Sequence, residues 1–229
     1  MPVPATEMTR LPLLAGLPQV TLTHLAQNAS ERAFAKREVV IQKGSEGSFF
    51  CFLLEGRLQG VDFTADGREV GLYFVASGDY FGDLSVIDGQ PHPIYVTAVS
   101  RSRVLFVPRD LIRPILFAHP RVAETLCTGL SQRLRQVSGQ RRILGLSNPL
   151  QRVCAQLELL FVRTEGVVQV LNAPTHQEIA IMINASRETV TRVFQFLQSR
   201  GIVERNGNHL HIEDATFIED VAAGRRQPE

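Results

Sequence analysis

A chain of 229 residues and 25.5 kDa, 44% hydrophobic and 21% charged, is an ordinary globular composition with room for one or two domains that have real cores. No apolar run reaches membrane-spanning length and the N-terminus lacks the apolar stretch of a signal peptide; the scattered Cys51, Cys127 and Cys154 speak against disulfides, a zinc site or an N-terminal iron–sulfur cluster, so a cytoplasmic protein is expected. The net charge of +1 hides an asymmetry: residues 100–147 hold nine arginines against two acids, a net of +7, whereas residues 148–229 hold eight against ten, a net of −2.

From Arg37 to Val107 the chain reads as short β-rich runs: Val39–Ile41, Phe49–Leu54, Leu58–Phe63, Val70–Val75, Ile94–Val99 and Val104–Val107. Glycines punctuate them at 44, 47, 56, 67, 71, 78 and 82, and Asp66-Gly67 is a strong hairpin signal. Short strands with regular turn signals predict an antiparallel sandwich or barrel.

A long helix follows, from roughly Pro120 to Leu146. Val122, Leu126, Leu130, Leu134 and Val137 form a narrow stripe suited to a helix–helix seam; the alternative is packing of the stripe on the chain's own β domain, which is expected for its first turn or two. Arg133, Arg135, Arg141 and Arg142 are either a solvated face or an anion site, since guanidinium pairs phosphate bidentately. Ser147-Asn148-Pro149 is the natural hinge, because proline disfavours helix at the residue before it.

Leu150–Phe161 reads as the first helix of a second domain. Thr175 and Glu178 then have capping-box spacing, and Ile179, Met182 and Ile183 give an apolar stripe. Asn184 suits the left-handed conformation of a tight inter-helix turn, and Ser186 suits the N-cap of the next helix. Projected at about 100° per residue, Val190, Val193, Phe194 and Leu197 of that helix share one face, and Arg187, Glu188, Thr191, Arg192 and Gln195 share another. A helix docked in a major groove needs such a polar face, because arginine reads guanine and glutamate reads the cytosine amino group. A plain amphipathic helix with a solvated face has the same pattern. Arg200-Gly201 forms a C-cap, and Ile202–Arg205 and His209–Ile212 flank an Asn-Gly-rich turn as a β-hairpin, which completes a winged helix.

The run Gln177-Glu178-Ile179 … Ser186-Arg187-Glu188-Thr189-Val190-Thr191-Arg192 resembles the DNA-binding motif of the cyclic-AMP receptor protein / fumarate-nitrate regulator family. The order Gly44 … Gly47 … Phe52–Leu58 … Asp66–Glu69 … Gly78-Asp79-Tyr80-Phe81-Gly82-Asp83-Leu84 resembles that family's cyclic-nucleotide-binding β-roll. The resemblance spans all but about the first dozen and the last eight residues. It implies an α+β protein: a cyclic-nucleotide-binding-like β-roll over residues 11–118, a dimerisation helix and hinge over 119–147, and a winged helix-turn-helix over 148–220. It further implies a bacterial homodimer on double-stranded DNA, with RNA polymerase as a partner. Arg187, Glu188 and Arg192 match the family's base-contacting residues for a TGTGA-type half-site. Thr175, Gln177, Ser186 and Thr191 complete the expected DNA-binding set.

The expected effector residues are Gly82, Asp83, Leu84, His92, Pro93, Arg133, Val137 and Ser138. Here the chain departs from the cyclic-AMP pattern. Gly82-Asp83 replaces a Gly-Glu pair, His92-Pro93 stands where an Arg-Ser pair holds the cyclic phosphate, and Val137-Ser138 replaces an adenine-contacting Thr-Ser. Neutral histidine carries no fixed charge and proline offers neither hydroxyl nor N–H, so cyclic AMP is disfavoured. Cyclic di-GMP or another anionic nucleotide, haem on His92 or Cys127, or no ligand remain, with an anionic nucleotide ranked first. Asp79 and Asp83 lie close in sequence, but around a Gly-rich turn acids are ordinary. No phosphate-binding loop, Ser-His-Asp set or metal cluster appears, so no enzyme is expected. The rival reading is a ligand-sensing module that acts on a protein partner without touching DNA.

Overall fold

The structure, a computed structural model, describes residues 3–63, 67, 69–164 and 166–226. Helix α1 (Ala5–Thr9), a 3-10 turn (Pro12–Leu14) and α2 (Gln19–Asn28) precede β1 (Ser30–Phe34), β2 (Val39–Ile41), β3 (Phe49–Glu55), β4 (Arg57–Phe63), β5 (Glu69–Ala76) and β6 (Tyr80–Phe81). Then come α3 (Asp83–Asp88), β7 (Tyr95–Ala98), β8 (Ser102–Pro108), α4 (Arg109–Ala118) and the 25-residue α5 (Pro120–Leu144). The rest comprises α6 (Pro149–Glu158), β9 (Val162–Thr164), β10 (Val167–Val170), α7 (His176–Met182), α8 (Arg187–Ser199), β11 (Val203–Asn206), β12 (His209–Ile212) and α9 (Ala215–Ala222). The chain divides into two compact units, Met1–Asp62 with Leu72–Arg133, and Phe63–Gly71 with Leu134–Glu229.

The first unit is a β-roll of two sheets, ordered β1-β8-β3-β6 and β2-β7-β4-β5. Leu53, Leu58, Phe81, Val96 and Val104 meet between them. The opposite face of the first sheet, with Phe50, Phe52, Leu105 and Val107, is covered by Met8, Leu25, Ile112 and Leu116 of the helices. Strand β3 therefore buries both faces, which is why Phe49–Leu54 is an unbroken apolar run rather than an alternating one. The strands read from the sequence all form. The Asp66-Gly67 turn includes residues outside those described, although Gly67 itself has φ +79°.

The stripe on α5 splits. Val122 and Leu126 join the core beneath the first sheet and Leu130 packs against it, whereas Leu134 and Val137 are 69% and 45% exposed. Gly129 lets this helix approach β6, because a Cβ there would lie 2.1 Å from the Tyr80 hydroxyl, which donates to the Leu126 carbonyl at 3.3 Å.

In the second unit α5 ends before Ser147. Asn148 caps α6 by accepting the Leu150 N–H at 2.9 Å, and Pro149 takes the first helical position, where its missing N–H costs nothing. This break is bridged: the Arg152 guanidinium donates to the carbonyls of Leu146, Ile183 and Asn184, and buried Gln140 donates to the Met182 carbonyl. Helices α6, α7 and α8 and the sheet β11-β12-β10-β9 enclose Val153, Leu157, Ile179, Ile183, Val190, Phe194, Leu197 and Leu210. Helix α9, capped by Asp214 accepting from the Phe217 N–H at 2.8 Å, packs on α6. Cys51 and Cys154 are buried and Cys127 is exposed on α5.

Candidate effector chamber and nucleic-acid interface

Gly82 takes φ +74°, a conformation L side chains rarely adopt, and launches α3 with Asp83 as its first residue. Asp83 is 2% exposed. Its Oδ1 accepts from the Arg133 guanidinium at 2.7 Å, and its Oδ2 has no hydrogen-bond partner. Arg133 also donates to the Tyr80 carbonyl at 2.5 Å and lies over the Tyr80 ring at 4.5 Å. A carboxylate read from one turn and an arginine read from a helix 50 residues later thus form one buried ion pair.

His92 is buried beside them, its Nδ1 3.0 Å from the Ser85 hydroxyl, and its backbone bonds both Gly44 and Ser45. Burial lowers its pKa and the Asp83 charge partly restores it, so it supplies no cation at neutral pH. Leu84 and Pro93 are exposed, as are Val137 and Ser138, which belong to the second unit; Ser138 bonds back to the Leu134 carbonyl. Of the expected effector residues, the structure brings Gly82, Asp83, His92 and Arg133 together. Ser85 and Tyr80, which were not among the expected effector residues, complete the cluster; Tyr80 lies within the Gly78–Leu84 run, but nothing local pairs it with Arg133 or pairs Ser85 with His92. Among the described residues no group of side chains could hold a metal ion.

In the second unit the cap chemistry builds the interface. Thr175 and Glu178 form the full capping box of α7, and Asn184 turns the chain with φ +50°. The Ser186 hydroxyl accepts the Thr189 N–H at 3.1 Å and so starts α8. Val190, Phe194 and Leu197 are buried, whereas Arg187, Glu188, Arg192 and Gln195 are exposed on the opposite side, with Thr175 and Gln177 exposed at the start of α7. The Glu188 carboxyl is held below the usual range, first by its own backbone amide, then by the Ser186 hydroxyl and more weakly by Arg187 and Arg192. It is therefore an ionised acceptor. Thr191 has a local partner: its hydroxyl lies 2.9 Å from His176 Nδ1, and the His176 ring stacks on Phe194 at 4.6 Å. His176 was not singled out in the sequence, since nothing local pairs it with a residue 15 positions on. In the wing, Arg205 donates to the Ala173 carbonyl at 3.3 Å.

Burial is the main cause lowering the pKa of both His92 and His176, with Arg205 and Arg187 adding to the effect at His176. A depressed folded-state pKa means that the unfolded chain binds more protons, so stability rises with pH through this window. Stability is therefore expected to fall as pH drops below 6.5, the ordinary imidazole value. Urea midpoints at neutral and mildly acidic pH check this, and a His92→Gln/His176→Gln variant should show a flatter profile.

A β-roll, a long helix and a winged helix-turn-helix with a polar exposed face are the parts of a transcription regulator with a DNA-binding helix-turn-helix domain. Residues 31–119 match the cyclic nucleotide-binding domain and residues 151–220 the Crp-like helix-turn-helix domain. The chain belongs to the cyclic-AMP receptor protein / fumarate-nitrate regulator family, whose members are transcription regulators rather than enzymes. It is 26% identical over 212 residues to the CRP-like cAMP-activated global transcriptional regulator of Mycobacterium tuberculosis, spanning 91% of this chain and 95% of that one. Among solved structures it resembles FixK2 of Bradyrhizobium japonicum (TM-score 0.70, 20% identity, 84% and 96% coverage). It also resembles the c-di-GMP responsive global regulator CLP of Xanthomonas campestris (TM-score 0.64, 20% identity, 85% and 99% coverage). No helix among the described residues is long and apolar enough to cross a membrane.

Proposed function

We propose that the protein works in the cytoplasm as a homodimer that reads a TGTGA-like inverted repeat and engages RNA polymerase there, under control of an anionic nucleotide other than cyclic AMP. The exposed Arg187–Glu188–Arg192 face of α8, opposite buried Val190, Phe194 and Leu197, is the observation that carries this reading. Thr175, Gln177 and Ser186 lie at the helix starts suited to phosphate contacts, since helix N-termini present unpaired N–H groups. Exposed Leu134 and Val137 fit a seam between two copies of α5. Two-fold symmetry would set the recognition helices about 34 Å apart along the duplex.

The Asp83–Arg133 cluster supports effector binding on the β-roll side. Asp83 Oδ2 is a buried acceptor in want of a donor, and Leu84 and Pro93 are the exposed residues of the same unit proposed to complete the site. Cyclic di-GMP, to which the Xanthomonas regulator responds, is the first candidate. The exposed Arg135, Arg141 and Arg142 suit its phosphates. Cyclic AMP remains disfavoured because His92 is neutral and Arg133 is already neutralised by Asp83. The hydrogen bonds of Gln140 and Arg152 favour a pivot N-terminal to Gln140 over one at Asn148.

Fluorescence anisotropy at physiological salt tests the proposal with a TGTGA-N6-TCACA duplex against a scrambled one, with and without cyclic di-GMP or cyclic AMP. Specific binding modulated by cyclic di-GMP is expected. No preference for the repeat under any condition would overturn the half-site and favour a module that acts through a protein partner.

A further inference from the structure

One residue on the polar face of α8 has its hydrogen bonding set from outside the helix. Thr191 is half-buried, with exposed Arg187 and Gln195 one turn to either side. Its hydroxyl lies 2.9 Å from Nδ1 of His176, the first residue of α7, whose start is fixed by the Thr175–Glu178 capping box. The imidazole is held in orientation by its stack on Phe194, at 4.6 Å and 26° between the ring planes, and Phe194 is itself 3% exposed. Among the described residues the Thr191 hydroxyl bonds nothing else. Thr125 and Ser138 differ, since their hydroxyls donate to the carbonyl one turn back on their own helix. Burial first, then Arg205 and Arg187, lower the His176 pKa, so the ring is neutral at neutral pH. A neutral imidazole has one N–H and one bare nitrogen. With the proton on Nε2, Nδ1 is bare, and a threonine that donates to it has only lone pairs left to offer.

We propose that His176 accepts the hydrogen bond of the Thr191 hydroxyl and so makes this threonine an acceptor-only reader, selective for a base that presents an amino group. This deepens the DNA-binding reading above and rests on it. A free threonine hydroxyl serves either class of base, because it rotates to donate or to accept. A hydroxyl committed to Nδ1 accepts from adenine N6 or cytosine N4 and has no proton for guanine O6 or thymine O4. His176 is then a positioning residue, which acts on specificity through Thr191.

The test compares full-length wild type, Thr191→Val, His176→Phe and His176→Asn by anisotropy, on duplexes that carry one transition at a time in the half-site. Adenine to guanine, or cytosine to thymine, puts a carbonyl oxygen where the amino group stood. At one position the wild type is expected to lose about 3–10-fold in affinity through this contact, the worth of a single hydrogen bond. Thr191→Val should erase that penalty and leave those at other positions unchanged. His176→Phe keeps a ring on Phe194 without the nitrogen and should erase it at the same position. His176→Asn gives up the ring but offers Oδ1 in place of Nδ1, and should keep most of it. Histidine nitrogen NMR on the protein without DNA reads the ring directly, the His176 signal being assigned from its absence in whichever His176 variant folds; a bare Nδ1 at neutral pH is expected. A proton on Nδ1, no position that responds to Thr191→Val, or a penalty retained in His176→Phe would overturn the inference, while the wild type's preference for the repeat would leave the DNA-binding reading standing. A wild type with no such preference overturns both.

Discussion

Arg133→Ala is expected to destabilise the protein by about 3–5 kcal/mol, the cost of leaving a buried carboxylate without its partner. Asp83 is 2% exposed and its Oδ2 already lacks a bond, so removing the guanidinium strands the whole charge. The substitution also removes the donor to the Tyr80 carbonyl and the cation over the Tyr80 ring. The Arg133 side chain is itself 24% exposed, which places the effect toward the lower end of that range. Urea denaturation measures it. Asp83→Asn in the Arg133→Ala background should recover a large part of the loss, because a neutral amide costs far less to bury than a charge. No recovery would mean that packing, rather than charge, dominates at this position.

Arg187→Ala and Arg192→Ala are each expected to weaken binding to the cognate duplex by about 1–3 kcal/mol and to relax discrimination at one base pair, with little change on scrambled DNA. Both side chains are exposed and neither buries core surface, so folding should be unaffected. Anisotropy titrations on duplexes substituted one base pair at a time give the readout. Equal losses on specific and scrambled DNA would reassign these arginines to phosphate contacts. The net charge of −2 over residues 148–229 sharpens the expectation. With little bulk positive charge, this half of the chain must owe its preference to a few placed groups, and few displaced counterions make for a shallow salt dependence.

Features set by neighbours in sequence were the legible ones. The Thr175–Glu178 capping box, the left-handed Asn184 and the Ser186 cap all depend on residues within a turn of each other, and all stand as read. The long helix was legible from its apolar stripe, but its division between Leu130 and Leu134 was not. The same spacing serves packing on a β-roll and a seam with another helix, and only burial separates them. Strand β1 escaped notice because Ser30-Glu31-Arg32 reads as surface. It pairs with β8, about seventy residues further on, where Glu31 meets Arg103 at 2.6 Å. Strands β9 and β10 are only 3 and 4 residues long and give too little periodicity to register. Asp83 and Arg133 were each read as effector residues, one from the turn and one from the helix. Their pairing with each other is a product of the fold, invisible in either local pattern.

The contrast between the cysteines gives the protein a chemical handle. Burial raises the pKa of Cys51 and pushes that of Cys154 up to about 12, so neither presents a thiolate near neutral pH. Cys127 stands exposed on α5, a turn before Leu130. A maleimide or nitroxide reagent should therefore modify the native chain at a single position without prior mutagenesis, and a spin label there would report whether two copies of this helix lie side by side, as the proposed homodimer requires.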